Sequence, residues 1–66
     1  MSLEKITPRE HEVAALICTG SSTKTAAQRL GISRNTIKDH MSAVYMKTGL
    51  PNRAALAVAL VKAGKL

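Results

Sequence analysis

The chain has 66 residues and a formal net charge of +6, and its only aromatic residue is Tyr45. Such a length allows one small domain, which buries only about 60% of the surface of its unfolded chain, so a deep catalytic pocket is not expected. The aliphatic, alanine-rich composition favours packed helices over strands, and the single cysteine, Cys18, excludes an internal disulfide.

The charge is unevenly distributed along the chain. Glu4, Glu10 and Glu12 lie within the first twelve residues, whereas Asp39 is the only acid among the other 54, which carry eight lysines and arginines. A region of one sign suits a polyanion such as nucleic acid, although a solvated basic surface is the alternative. No apolar run approaches the roughly 20 residues of a membrane span, and no signal peptide is present, so we expect a cytoplasmic protein without a membrane partner.

The first predicted helix begins after Thr7. This threonine can cap the helix, Pro8 suits the first helical position, and Glu10 can close a capping box. Val13, Leu16 and Ile17 follow at helical spacing and form the predicted buried stripe. Gly20 can adopt the left-handed conformation that ends the helix. One domain is expected over residues 1–66, with residues 1–5 either flexible or derived from cloning.

A helix-turn-helix is predicted over about residues 22–48. Ser22 can cap a short scaffold helix that ends at Gly31, and Ser33 can cap a longer helix that ends at Gly49. The scaffold helix buries Ala26, Ala27 and Leu30, and the longer one buries Ile37, Met41, Val44 and Tyr45.

The opposite face of this third helix is polar. Asn35, Lys38, Asp39 and Ser42 fall at helical spacing, and Arg34 precedes them in the first turn. Their side chains have the donors and acceptors that read base edges in a DNA groove. The carboxylate of Asp39 could accept from a cytosine amino group, or it could pair with Arg34 or Asn35 in the absence of DNA.

The last predicted helix begins after Asn52 and runs to about Ala63, before Gly64. Leu56 and Leu60 form one apolar side, and a second apolar stripe consists of Ala54, Val58 and Val61. This second stripe could contact the same stripe of a second copy, or it could be covered by another domain or a denser core. No strand pattern is present in the sequence, and the predicted fold class is all-α.

Four ordered blocks of sequence carry a resemblance to a known family. They read ITPREHEVAALICTG, STKTAAQRLGIS, TIKDHMSAVYMKTGL and NRAAL, and together they cover most of the chain. The chain resembles the LuxR-type (GerE-like) helix-turn-helix domain of bacterial transcription regulators, response regulators among them. The resemblance implies a four-helix domain whose third helix enters the major groove and whose last helix forms a dimer. It also implies that Lys24 and Lys47 contact the DNA backbone and that Lys38 contacts a phosphate or a base. Thr36 belongs to the same matching motif as Lys38.

The sequence departs from this family pattern at a few positions. Thr25, Ala26 and Thr48 stand where larger or acidic residues are usual, which thins the predicted core. Ala55 replaces a glutamate, so the expected acidic partner of Arg53 is missing.

The predicted function is sequence-specific binding of double-stranded DNA as the output domain of a transcription regulator, as a dimer on a two-fold site. The alternative is a protein-interaction module with the same fold. RNA polymerase is a further candidate partner, and no cofactor, metal or catalytic residue is assigned, because His11 and His40 are far apart and Cys18 lacks an orienting base. The predicted DNA-binding residues are Ser22, Lys24, Ser33, Arg34, Asn35, Thr36, Lys38, Asp39, Ser42 and Lys47.

Overall fold

Four α-helices make up the fold, in a computed structural model that describes residues 3–66. A 3-10 turn at Leu3–Lys5 precedes helices α1 (Pro8–Cys18), α2 (Thr23–Leu30), α3 (Arg34–Thr48) and α4 (Arg53–Lys62). No strand occurs in this part of the chain, so the predicted all-α class is confirmed. None of these helices is long and apolar enough to cross a bilayer.

Each helix begins at the capping residue that its sequence indicated. The side chains of Thr7, Ser22, Ser33 and Asn52 accept hydrogen bonds from the backbone N–H three residues later, at 2.9–3.1 Å. Such a bond satisfies one of the donors left free in the first turn, and a cap typically contributes about 1 kcal/mol. The four helix starts are therefore determined locally.

Two glycines set the ends of α2 and α3. Gly31 has φ 68° and Gly49 has φ 70°, both in the left-handed region, which a side chain makes unfavourable. The sharp change of direction at Gly31 separates α2 from α3 and produces the helix-turn-helix.

The core forms where α3 packs against α1 and α2 while α4 packs against α1. The predicted buried faces are confirmed, with Leu16, Leu30 and Tyr45 half-buried at the margin. The buried apolar residues are Val13, Ala14, Ile17, Ala26, Ala27, Ile37, Met41, Val44, Leu56 and Leu60. Because one face of α3 is held in this core, its opposite face is directed to solvent.

The two ends of the chain are also packed on the helices. In place of a flexible segment at residues 3–5, the structure has the 3-10 turn, with Leu3 and Ile6 half-buried against the core. Met1 and Ser2 lie outside the described residues. At the other end, the His11 imidazole lies 2.7 Å from the carbonyl oxygen of Lys65, which links the C-terminus to α1.

Candidate nucleic-acid interface

The exposed face of α3 consists of Asn35, Lys38, Asp39 and Ser42, all of which are solvent-exposed. Ile37, Met41 and Val44 on the other side are buried, and Val44 has no exposed surface. The residues of the exposed face span seven positions, or about 10 Å along the helix axis. The structure thus brings these four predicted contact residues onto one accessible strip.

Ser22, Ser33 and Thr36 take part in the helix starts. The Ser33 hydroxyl lies 2.9 Å from that of Thr36 and accepts from its backbone N–H, while Ser22 pairs with Thr25 in the same way. These side chains shape the turns before α2 and α3. Any contact that they make with DNA would come from helix termini, where anionic groups are favoured.

An open depression of about 670 Å³ borders the exposed face of α3. Its polar lining comes from three helices: Thr23 at the start of α2, Lys38 and Ser42 on α3, and Arg53 at the start of α4. Apolar side chains form its floor, with Tyr45 at one side. This surface extends the basic region beyond α3.

A second, smaller depression of about 400 Å³ lies between α2 and the start of α3. Lys24, Gln28 and Arg34 line it, and all three are exposed. Lys24 and Arg34, which the sequence placed on different helices, are therefore close to one groove. Gln28 was not among the predicted residues.

Lys47 differs from the other predicted residues, because it has a partner within the chain. Its Nζ donates to Oε1 of Glu10 at 2.7 Å, and it lies about 120° around α3 from Asn35. Glu10 is only 7% exposed and also accepts from the backbone N–H of Thr7 at 2.9 Å. A contact between Lys47 and phosphate stays a prediction, and it would have to compete with this ion pair.

The pKa of Glu10 is lowered, mainly by the hydrogen bond from Lys47 and then by that from the Thr7 backbone, against the opposing effect of burial. The carboxylate is therefore ionised at neutral pH. This contact joins the first turn of α1 to the last turn of α3. It holds the orientation of α3 relative to α1.

The Asp39 side chain makes no hydrogen bond or ion pair with any of residues 3–66, so the alternative in which it pairs with Arg34 or Asn35 is not observed. Two residues on this side of the molecule were not among the predicted DNA-binding residues, although Met46 was expected just past the contact stripe of α3. Met46 is 78% exposed and continues the line of Asn35 and Ser42 at helical spacing, and Arg53 borders the depression described above. The spacing along α3 was sufficient to find Met46, whereas Arg53 is on another helix.

Cys18 and Tyr45 are half-buried. Burial raises the pKa of the Cys18 thiol and of the Tyr45 hydroxyl, so both are protonated near neutral pH. Within residues 3–66, no three His, Cys, Asp or Glu side chains are grouped in a way that could hold a metal ion.

Comparison with known proteins agrees with this arrangement of helices. A family model described as bacterial regulatory proteins, luxR family, matches residues 4–60. The spore germination protein GerE of Bacillus subtilis is 36% identical over 61 residues, which is 92% of this chain and 82% of GerE.

Two longer relatives also match this chain. The probable transcriptional regulatory protein SgaR of Hyphomicrobium methylovorum is 48% identical over 58 residues, covering 88% of this chain and 27% of SgaR. The two-component response regulator PprB of Pseudomonas aeruginosa is 39% identical over 56 residues, covering 85% of this chain and 20% of PprB. The chain thus spans about a quarter or less of these two regulators.

The match over residues 4–60 includes the turn after α2 and the whole of α3. The sequence-based resemblance is thereby confirmed. The chain belongs to the luxR family of bacterial regulatory proteins, as a LuxR-type helix-turn-helix DNA-binding domain.

Proposed function

We propose that this domain binds double-stranded DNA in a sequence-specific way by inserting α3 into the major groove, as the output domain of a transcription regulator. The observation that carries the proposal is the exposed face of α3, which is polar and is bordered by the cations Arg34 and Arg53, while the opposite face is held in the core. A helix with its side chains is about 10–12 Å across, and the major groove is about 12 Å wide. The two shapes are therefore compatible.

The contact residues divide by chemistry into readers and positioners. Arg34, Asn35, Asp39 and Ser42 can reach base edges, because their groups complement guanine, adenine and cytosine. Lys24 and Lys38 are suited to phosphates, which set position and affinity without specifying sequence. The first turns of α2 and α3, with the hydroxyl groups of Ser22, Ser33 and Thr36, would lie against the DNA backbone.

We also propose that two copies bind a two-fold site through α4. Ala54, Val58 and Val61 are all exposed, and the two valines retain 53% and 61% of their surface. They form one stripe at positions i, i+4 and i+7 of a helix whose other side is buried. A stripe of this size suits a weak contact, which forms when both copies are held on one DNA molecule.

The test is selection from a pool of randomised duplexes across a salt series, followed by sequencing of the bound fraction. A LuxR-type reader should enrich a near-palindromic motif, and log affinity should fall steeply with log salt concentration. The absence of any bound duplex at low salt would overturn the proposal and favour a protein-interaction module.

Lys38→Ala and Ser42→Ala should have different effects on the selected duplex. Loss of a phosphate contact lowers affinity for every sequence and reduces the salt slope by about one, so Lys38→Ala is expected to weaken all duplexes about equally. Ser42→Ala should reduce the preference for one base at one position, where a mismatched base pair typically costs about 1–3 kcal/mol. Binding measurements on the selected site and its single-base variants separate these effects, and equal losses on all sites for both variants would count against base reading by α3.

Replacing Val58 and Val61 with asparagine should weaken binding to the two-fold site about tenfold or more, which corresponds to 1.4 kcal/mol. Binding to a duplex with a single half-site should change little, because the substitutions are on the solvent side of α4 and add no charge. Titration of both duplexes by fluorescence anisotropy checks this. Equal affinities of native and variant protein for the two-fold site would exclude the α4 interface.

A further inference from the structure

Arg53 differs from the other basic residues near the exposed face of α3, because it belongs to α4 and the spacing of residues along α3 could not predict it. It is the first residue of α4, is exposed, and makes no ion pair with any of residues 3–66. The structure places it on the rim of the depression that Lys38 and Ser42 also line. Two residues of the exposed face of α3 therefore share this depression with a cation from another helix.

The charge of this depression favours an anion. Two cationic side chains, Lys38 and Arg53, and the hydroxyl-bearing residues Thr23, Ser42 and Tyr45 line it. Among residues 3–66, no aspartate or glutamate does so. Paired cations without an acidic partner attract phosphate, and a guanidinium offers it two parallel donors.

Because the depression borders the exposed face of α3, the DNA backbone is the expected source of that phosphate. A helix lying in the major groove almost fills its width, so side chains on the flank of the helix meet the phosphates that form the groove wall. Lys38, from α3, and Arg53, from α4, both line the depression beside the exposed face of α3. One strand of the duplex would then run along the open side of the depression.

We propose that Arg53 and Lys38 together bind a single phosphate of the DNA backbone, so that α4 contacts DNA as well as its partner copy. This inference rests on the proposed insertion of α3 into the major groove. It gives the start of α4 a positioning role: it fixes how deeply and at what angle α3 enters the groove.

The experiment compares native protein, Arg53→Ala and Lys62→Ala on a duplex that carries one selected half-site. Lys62→Ala is the matched control, because it removes the same charge from an exposed position in the last turn of the same helix. Arg53→Ala should weaken binding about fivefold and lower the salt slope by about one, without changing the preferred sequence. Lys62→Ala should leave the slope within error, and circular dichroism should show unchanged helicity and thermal unfolding for both variants.

Single methylphosphonate substitutions along each strand then identify the phosphate. Neutralising the phosphate that Arg53 contacts should weaken the native protein but not Arg53→Ala, whereas other sensitive phosphates should affect both proteins. An unchanged salt slope for Arg53→Ala, or the lack of a phosphate with this pattern, would overturn the inference while leaving the proposed function intact. If the native protein bound no duplex at low salt, the proposed function would fail as well.

Discussion

Leu56→Ala is expected to remove a large part of the stability of the domain. Leu56 has no exposed surface, and it belongs to the side of α4 that packs on α1. Truncating a buried leucine to alanine destabilises a protein by about 2–5 kcal/mol, through lost transfer free energy and the cavity left behind. A chain of this length has a total stability of roughly 3–10 kcal/mol, so one such change removes a large part of it.

Val58→Ala provides the matched control for this prediction. It lies two residues away on the same helix but is 53% exposed, so its free energy of unfolding should change by no more than about 0.5 kcal/mol. Urea unfolding followed by circular dichroism measures both variants. Similar losses at the two positions would mean that α4 is not held in the core by its Leu56 side.

Removing the charge of Glu10 is the second change expected to have a large effect. Its carboxylate accepts from Lys47 Nζ at 2.7 Å and from the Thr7 backbone N–H at 2.9 Å, and it is almost fully buried. Glu10→Ala leaves both donors without this acceptor, and hydrogen bonds to charged groups contribute about 1.5–3 kcal/mol each. The bond from Lys47 counts for less, because that side chain is about one-third exposed and its ammonium regains water. We therefore expect a total loss of about 1.5–3 kcal/mol for Glu10→Ala. The loss for Lys47→Met should be smaller, because the carboxylate then keeps its bond to Thr7.

Acid should reproduce part of this loss in the native protein. The pKa of Glu10 is lower in the folded state than in the unfolded state, chiefly because Lys47 donates to the carboxylate. The unfolded state therefore binds the proton more readily, so this stability is present above the ordinary glutamate pKa of about 4.3 and is lost as the pH falls through the lower folded value.

Glu10→Gln has no ionisable group at position 10, so it shows how much of the acid sensitivity comes from the Glu10–Lys47 pair. Its free energy of unfolding, measured by urea titration from pH 7 to pH 3, should fall less steeply than that of the native protein. Parallel curves for the two proteins would show that Glu10 does not account for the acid sensitivity.

The helix boundaries and their buried faces could be predicted because their signals are local. Ser22 and Ser33 cap helices through bonds to residues three positions away, and Gly31 and Gly49 end helices through their own backbone angles. The period of the α-helix likewise determines which residues share a face, whatever the helix packs against. The exposed face of α3 followed from the same rule, since Asn35 and Ser42 are opposite the buried residues of that helix.

Contacts between helices required the folded chain. Glu10 and Lys47 are 37 residues apart and His11 and Lys65 are 54 apart, and no spacing rule indicates that these pairs meet. Leu3 packs on the core beside α3, and no local signal in the sequence predicted this contact. On the sequence alone Lys47 is free to contact phosphate, because its acidic partner, Glu10, is on another helix.

The sequence by itself determined the family, the four helices, their caps and the face of α3 that is free to meet DNA. Only the tertiary structure decided which basic residues surround that face: it paired Lys47 with Glu10, and it placed Arg53 at the depression that Lys38 also lines. The physical reason is that helix formation depends on hydrogen bonds and side-chain periods over three or four residues. The distance between side chains on different helices depends on how the helices pack and on the angles at which they cross.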